Sequence, residues 1–327
     1  MRHDRRVAAL GVAALLALAA LLGVSGCRRQ PKLAPASTDF RGYIADPSAR
    51  MIAYSPVGAV LQDPSHRVLR DQLALLRTRF DGLSLYQTTS DTAALVAIAR
   101  ELGFRAVLFT IWDPKAEPEL ATISSILAQQ HGAMAFAVSI GSEGLSEKRY
   151  ALSDLGAARL QLRERTRGAK PVEMTTTEPW WFYGTPEGRP AASFGEFTSA
   201  NVHVVWDTDI VDPALAASWT RDRANELKAS VGHPVLIREL GMPGGGTSPR
   251  PLGPRHDREL LFSRELQAQF WSAWQGLPGR PPAVVFEAID NPEKHWRDFE
   301  STWGLLDESL RPWPGWAVFP VLERARP

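Results

Sequence analysis

The chain has 327 residues, 44% apolar and 22% charged, and its 37 basic residues against 36 acidic ones leave a formal charge of +1. That length and apolar share suit one large domain or two modest ones, and near-neutrality removes the basic footprint that nucleic-acid binding needs. The 25 Gly and 25 Pro are close to average usage and exclude a fibrous or disordered chain, whereas the eleven Trp are a surplus. They suit either a core or flat platforms for sugars.

The first residues read as an address. Arg2, Arg5 and Arg6 precede an apolar run from Val7 to Val24, which closes on Val24-Ser25-Gly26-Cys27. Charge held inside, an inserted apolar segment and small residues at a cleavage point make a secretory leader. The closing four residues resemble the lipobox of bacterial lipoproteins, in which the thiol carries the lipid. A plain transmembrane anchor is the alternative, though the run is near the minimum for spanning. Cys27 is the only cysteine, so no disulfide is available. The expected organisation is a leader over 1–27 with lipidation at Cys27, a tether over 28–48 containing Pro31 and Pro35, and a folded domain over 49–327. Such a protein is exported to the cell envelope and faces the periplasm, attached to the membrane through its lipid. Arg28, standing where Asp often marks retention in the inner membrane, leans towards the outer one.

In chain order, strands are predicted at Met51–Tyr54, Leu83–Tyr86, Ala106–Ile111, Met134–Ile140, Val172–Thr175, Asn201–Trp206, Pro234–Arg238 and Ala283–Ile289. Several are continuously apolar, as strands buried on both faces of a parallel sheet are. Helical spacing marks Val68–Arg79, Thr92–Leu102, Glu117–Gln130, Leu152–Arg165, Ala214–Ser230 and Asp257–Gln275, with Asp91 and Ser153 as candidate N-caps and Gly103 as a stop. Eight strand-like runs alternating with helices imply a single α/β domain, a (β/α)₈ barrel. An open doubly wound sheet is the runner-up, but Tyr54-Ser55-Pro56-Val57-Gly58 is no phosphate-binding turn.

A barrel builds its active site at the C-terminal ends of its strands. Glu143 follows the fourth predicted strand and Glu239 the seventh, so the two can face each other across the barrel mouth. Such a pair is what glycoside cleavage needs, one group protonating the leaving oxygen while the other attacks or stabilises the anomeric carbon.

With these residues in place, the chain resembles glycoside hydrolase family 17, the β-1,3-glucanase and glucanosyltransferase family, over roughly Met51 to Asp307. Ile52-Ala53-Tyr54-Ser55-Pro56 is similar to that family's first strand and Leu85-Tyr86 to its second. Ile140-Gly141-Ser142-Glu143 is similar to its Gly-Asn-Glu motif, and Arg238-Glu239-Leu240-Gly241-Met242-Pro243 to its Glu-x-Gly-Trp-Pro motif. Phe286 to Asp290, Lys294 and Trp303-Gly304-Leu305 are similar to its eighth-strand block.

The resemblance implies a retaining enzyme on β-1,3-glucan, with Glu143 as acid/base and Glu239 as nucleophile. Retention places the two carboxyls about 5–5.5 Å apart, Glu239 ionised and Glu143 protonated. Lys294 and Arg238 are candidates for the cation beside Glu239, and Glu300, which falls where the family has another site Glu and belongs to the substrate-binding set, either pairs with Lys294 or is a helix-surface charge. By resemblance Tyr54 and Tyr86 flank the sugar. Glu178, Trp180, Trp181 and the stretch His203 to Trp206 line the cleft, Trp112 forms a further subsite, and Glu287 and Asp290 belong to the substrate-binding set. Ser142 stands where the family has the Asn that bonds the sugar 2-hydroxyl, Met242 where it has Trp, and Asn291 near a position that is often acidic.

Other chemistries find little support. The seven His are scattered, without His-Glu-x-x-His or clustered Cys, so neither a metal nor any other cofactor is expected. Gly244-Gly245-Gly246-Thr247-Ser248 lacks the Gly-Lys-Ser/Thr ending of a phosphate loop, and no Gly-x-Ser-x-Gly elbow occurs in the domain. The expected partners are a β-glucan oligosaccharide and the membrane. The rival reading is a glycan-binding lipoprotein that kept the barrel and its cleft without catalysis.

Overall fold

A computed structural model describes residues 39–56, 60, 63–129, 132–247 and 261–322. The expected leader with Cys27, the tether as far as residue 38, and residues 257–260 of the last predicted helix lie outside the described residues.

Eight strands run β1 (Met51–Tyr54), β2 (Gly82–Leu85), β3 (Ala106–Ile111), β4 (Ala135–Ser142), β5 (Glu173–Pro179), β6 (Thr198–Asn201), β7 (Val235–Leu240) and β8 (Ala283–Val285). All neighbours pair in parallel and in sequence order, and β1 pairs with both β2 and β8, which closes the expected (β/α)₈ barrel. The helices, in chain order, are α1 (Phe40–Ala45), α2 (Arg67–Arg77), α3 (Thr92–Glu101), α4 (Glu117–Ala128), α5 (Leu152–Arg165), α6 (Arg189–Ala192), α7 (Val204–Asp207), α8 (Pro213–Val231) and α9 (Arg264–Gly276). In α2 the buried Leu69, Leu73 and Leu76 repeat at the spacing of one helical face.

The two strands read least well have polar inner faces. Strand β5 carries Thr175, Thr176, Thr177 and Glu178, and β6 carries Thr198 and Ser199, all buried. Their hydroxyls bond across the barrel interior: Ser139 Oγ lies 2.7 Å from Thr177 Oγ1, which donates to Ser199 Oγ at 2.8 Å. The expected sixth strand, Asn201–Trp206, is therefore displaced. The true strand ends at Asn201, and Val204–Asp207 form the single turn α7. Likewise β8 ends at Val285 rather than Ile289.

Two of the expected caps differ. The Asp91 carboxylate makes no cap bond and instead lies 3.3 Å from His66. In α5 it is Asp154, not Ser153, that reaches back to Ala151 N–H at 2.9 Å. Gly103 does end its helix, at φ +81°, a left-handed conformation open to glycine.

The folded domain starts earlier than residue 49. Asp39 accepts a hydrogen bond from Gly42 N–H at 2.6 Å and so opens α1. Phe40 is fully buried and stacks on Phe197 at 5.4 Å, and Tyr43 donates to Asp81 at 2.8 Å. A Cβ on Gly82 would lie 2.2 Å from the Tyr43 oxygen, so only glycine at the start of β2 admits this ring. Removing the Phe40 side chain (Phe40→Ala) is expected to cost about 3–5 kcal/mol of stability, by the usual penalty for an emptied aromatic site. Denaturant titration checks this, and a loss below about 1 kcal/mol, the scale of a surface change, would make α1 an accessory.

Candidate active site

Both glutamates stand where a strand carries one residue more than its neighbour. Ser139 pairs with Thr175 but Ser142 with Thr177, so β4 spends three steps against two on β5. The extra residue is accommodated by Gly141 at φ +84°, where an added Cβ would meet the Tyr150 hydroxyl at 2.2 Å. On β7, Ala200 pairs with Ile237 and Asn201 with Glu239, which leaves Arg238 as the extra residue. Such bulges re-aim the side chains that follow them.

Glu143 itself has φ +57°, a costly conformation for a residue with a Cβ, and its peptide is pinned. Its N–H donates to Thr177 O at 2.7 Å, while its carbonyl accepts from Ser146 Oγ at 2.8 Å and Glu147 N–H at 3.0 Å.

The two carboxylates open into one cleft of about 620 Å³ at the C-terminal end of the barrel. Of the residues picked from the sequence, Tyr86, Trp112, Glu143, His203, Trp206, Glu239, Lys294 and Glu300 line it, together with Trp181. Four tryptophans on its walls are well exposed: Trp112 and Trp181 at 46%, Trp206 at 37% and Trp296 at 64%.

Six expected residues do not line the cleft. Tyr54 turns outward and donates to Gln72 on α2 at 2.6 Å. Ser142 is buried with its oxygen accepting from Arg238 at 3.3 Å. Glu178 is buried, accepting from Leu145 and Ser146 N–H at 3.0 and 3.1 Å, so it ties down the loop after β4; burial pushes its carboxyl up to about 7. Trp180 donates to Asp207 at 2.8 Å and packs edge-on to Trp219. Glu287 lies beneath the cleft, holding Lys294 through both oxygens at 2.8 Å. Asp290 accepts from Arg264, Gly304 N–H and Trp313, which clamps the segment after β8 rather than any sugar.

Glu300 is a buried cleft carboxyl bonded to Trp303 Nε1 at 3.2 Å, neither paired with Lys294 nor a surface charge. Asn201 and Trp296 were not picked from the sequence. The displaced sixth strand hid Asn201, because the strand-end rule finds it only if β6 stops there.

His203 sets the charge of the site. Its Nε2 lies 2.7 Å from Glu239 Oε2, and both side chains are nearly buried. The imidazole packs edge-on against Phe286 and Trp303 at 5.9 and 5.7 Å, in surroundings of low polarity that strengthen the pair. Burial alone would raise Glu239. The His203 hydrogen bond and charge, with the charges of Arg238 and Lys294, outweigh it and hold the carboxyl below its usual range. The same contact lifts His203 above the ordinary imidazole range against the effect of burial. Glu143 is displaced the other way, by burial first and by repulsion from Glu239 second, with His203 and an Asn201 hydrogen bond opposing. Asn201 Nδ2 donates to Glu143 Oε1 at 2.9 Å, which leaves Oε2 as the oxygen to carry a proton. The surroundings thus favour the ionised form of Glu239 and the charged form of His203, and the protonated form of Glu143.

Arg238 crosses the barrel interior beneath this pair. It is fully buried, stacks on Tyr86 at 4.2 Å, and donates to Ser84, Ser142, Thr110 and the Leu85 carbonyl. Hydroxyls and a carbonyl replace the water it has lost.

A family model, described as the BtgE/BtgC glycoside hydrolase domain, matches residues 51–304. No curated protein matches the sequence. Among solved structures, an active-site mutant of Rhizomucor miehei β-1,3-glucanosyltransferase in complex with laminaritriose superposes with a TM-score of 0.63. It is 19% identical, over 82% of this chain and 96% of its own. CJP38, a β-1,3-glucanase and allergen of Cryptomeria japonica pollen, gives 0.58 at 15% identity, over 84% and 98%. Faecalibacterium prausnitzii β-glucuronidase gives 0.56 at 14%, over 84% of this chain and 49% of that one. At such identities these are likenesses of fold.

The charge arrangement is testable without substrate. NMR titration of His203 is expected to show the imidazole protonated above its ordinary range in the native protein. In Glu239→Gln the strongest contact that raises it is lost, leaving Glu143 and Asp207 to oppose burial, so the imidazole is expected to titrate lower than in the native protein. An unchanged titration in the variant would contradict the pairing.

Proposed function

The chain belongs to the family of BtgE/BtgC glycoside hydrolase domains, and from that premise we propose that it is a retaining glycoside hydrolase or transglycosylase acting on β-1,3-glucan, in the manner of glycoside hydrolase family 17. The observation that carries the reading is that Glu143 and Glu239 line one cleft at the ends of β4 and β7, in surroundings that displace their carboxyls in opposite directions. Double displacement requires a carboxylic acid on one side of the glycosidic bond and a carboxylate on the other.

In the first step Glu143 Oε2 gives its proton to the glycosidic oxygen as that bond breaks. Glu239 attacks the anomeric carbon and forms a glycosyl ester. In the second step the ionised Glu143 takes a proton from water or from a sugar hydroxyl, which attacks the same carbon and releases Glu239. The two inversions restore the β configuration. His203 and Lys294 keep Glu239 ionised before attack. The bulk of the four exposed tryptophans suits sugar faces, which stack on aromatic rings. Glucan linked β-1,3 is the substrate favoured by the family 17 motifs and is consistent with the two glucan-active fold neighbours. The lipid expected on Cys27 would hold the enzyme at the cell envelope, facing periplasmic glucan.

Two variants separate the roles. Glu239→Gln is expected to abolish cleavage and transfer of laminari-oligosaccharides, followed by mass spectrometry. Glu143→Ala is expected to lose about 10²–10⁴-fold on the same oligosaccharides, the usual contribution of a positioned acid. It should lose far less on a dinitrophenyl glycoside, which leaves without a proton. Added azide should then rescue turnover and yield a β-glycosyl azide. Equal losses on both substrates, or an α-azide, would overturn the assignment.

A further inference from the structure

Asn201 takes over a contact that residue 142 is not placed to make, an inference that rests on the functional reading above. The structure assigns to Asn201 Oδ1 the recognition of the 2-hydroxyl on the sugar attacked by Glu239.

Three observations lead there. Ser142 precedes Glu143 in sequence, yet its oxygen is turned into the barrel and accepts from Arg238 at 3.3 Å, away from the cleft lining. Asn201, by contrast, lines the cleft and is only 2% exposed. It is also the register partner of Glu239, and its amide donates to Glu143 at 2.9 Å, so one side chain is tied to the strands of both carboxylates.

The third observation is the other end of that amide. With Nδ2 committed to Glu143, Oδ1 is a buried acceptor without a hydrogen-bond partner among the described residues. Buried amide oxygens are nearly always satisfied in folded proteins, and an open one beside reacting groups marks a place for a ligand donor.

A sugar hydroxyl fits the chemistry. As positive charge develops at the anomeric carbon, the adjacent 2-hydroxyl becomes a better donor, and an acceptor fixed on it is worth more in the transition state than in the ground state. Asn suits this position because its oxygen is neutral. A carboxylate there would add a second negative charge beside Glu143. The chain of bonds then runs from the 2-hydroxyl to Oδ1 and from Nδ2 to Glu143 Oε1, and leaves Oε2 free for the proton.

The test is a ratio, which cancels any general damage to Glu143. Initial rates are measured on 4-nitrophenyl β-laminaribioside and on its counterpart lacking the 2-hydroxyl of the glucosyl unit next to the aglycone. The native enzyme is expected to prefer the hydroxylated substrate by at least about 100-fold in kcat/KM, since a site built to bond a hydroxyl rejects the analogue lacking it. Asn201→Ala is expected to cut that preference by about tenfold or more, on the same principle. Asn201→Asp keeps an acceptor, so it should retain most of the preference while losing rate on both substrates. Ser142→Ala should leave the ratio where it was.

Equal losses on both substrates in Asn201→Ala would reduce Asn201 to a positioning residue for Glu143 and overturn the inference, as would a ratio that collapses in Ser142→Ala. Native enzyme inactive on both substrates would overturn the functional reading itself and this inference with it.

Discussion

The negative charge of Glu239 is the constraint from which the rest of the site follows. A carboxylate buried at a barrel mouth is unfavourable unless positive charge is brought to it. This chain brings three: His203 in direct contact at 2.7 Å, Arg238 from below and Lys294 from the side. Each is fixed by something else. Phe286 and Trp303 hold the imidazole, a set of hydroxyls solvates the guanidinium, and both oxygens of Glu287 grip the ammonium. Burial first, and repulsion from the charged Glu239 second, displace the Glu143 carboxyl the other way, so the two glutamates are separated electrostatically.

The barrel supplies the geometry for this electrostatics. A regular strand alternates its side chains between the interior and the helical layer, so placing a large cation inside and a carboxylate next to it requires the alternation to slip. One extra residue in β7 achieves that for Arg238 and Glu239, and one in β4 does so before Glu143. The left-handed backbone at Glu143 is the local cost, offset by the hydrogen bonds from its peptide to Thr177, Ser146 and Glu147.

The same slip explains what could be read from the sequence. Strands with two apolar faces, such as Ala106–Ile111, were legible to the residue, and the alternation of eight runs with helices was enough for the barrel. Strands β5 and β6 escape the apolar pattern because their inner faces carry threonine and serine, which bond to one another across the barrel interior and imitate loop composition. The two glutamates come together in one cleft, as expected of a pair at the ends of the fourth and seventh strands of a barrel. For Tyr54, Glu178 and Asp290 position at a strand end was not enough. Whether a side chain there faces the cleft, the helices or the loop beneath depends on local register, and a one-residue bulge reverses it without leaving a mark in composition. Asn201 was lost for a related reason, since the apolar Val202, Val204 and Val205 that follow it drew the predicted strand past its true end.

The central claim is that Glu239 becomes covalently bound to the sugar. The most direct measurement is to incubate the protein with a 2-deoxy-2-fluoro-β-laminaribiosyl fluoride, digest it, and locate the adduct by peptide mass spectrometry. The account predicts one equivalent of fluoroglycosyl ester on the peptide containing Glu239, and none in Glu239→Gln. A label on another carboxylate, or turnover of oligosaccharides to products of inverted anomeric configuration with no label, would contradict it.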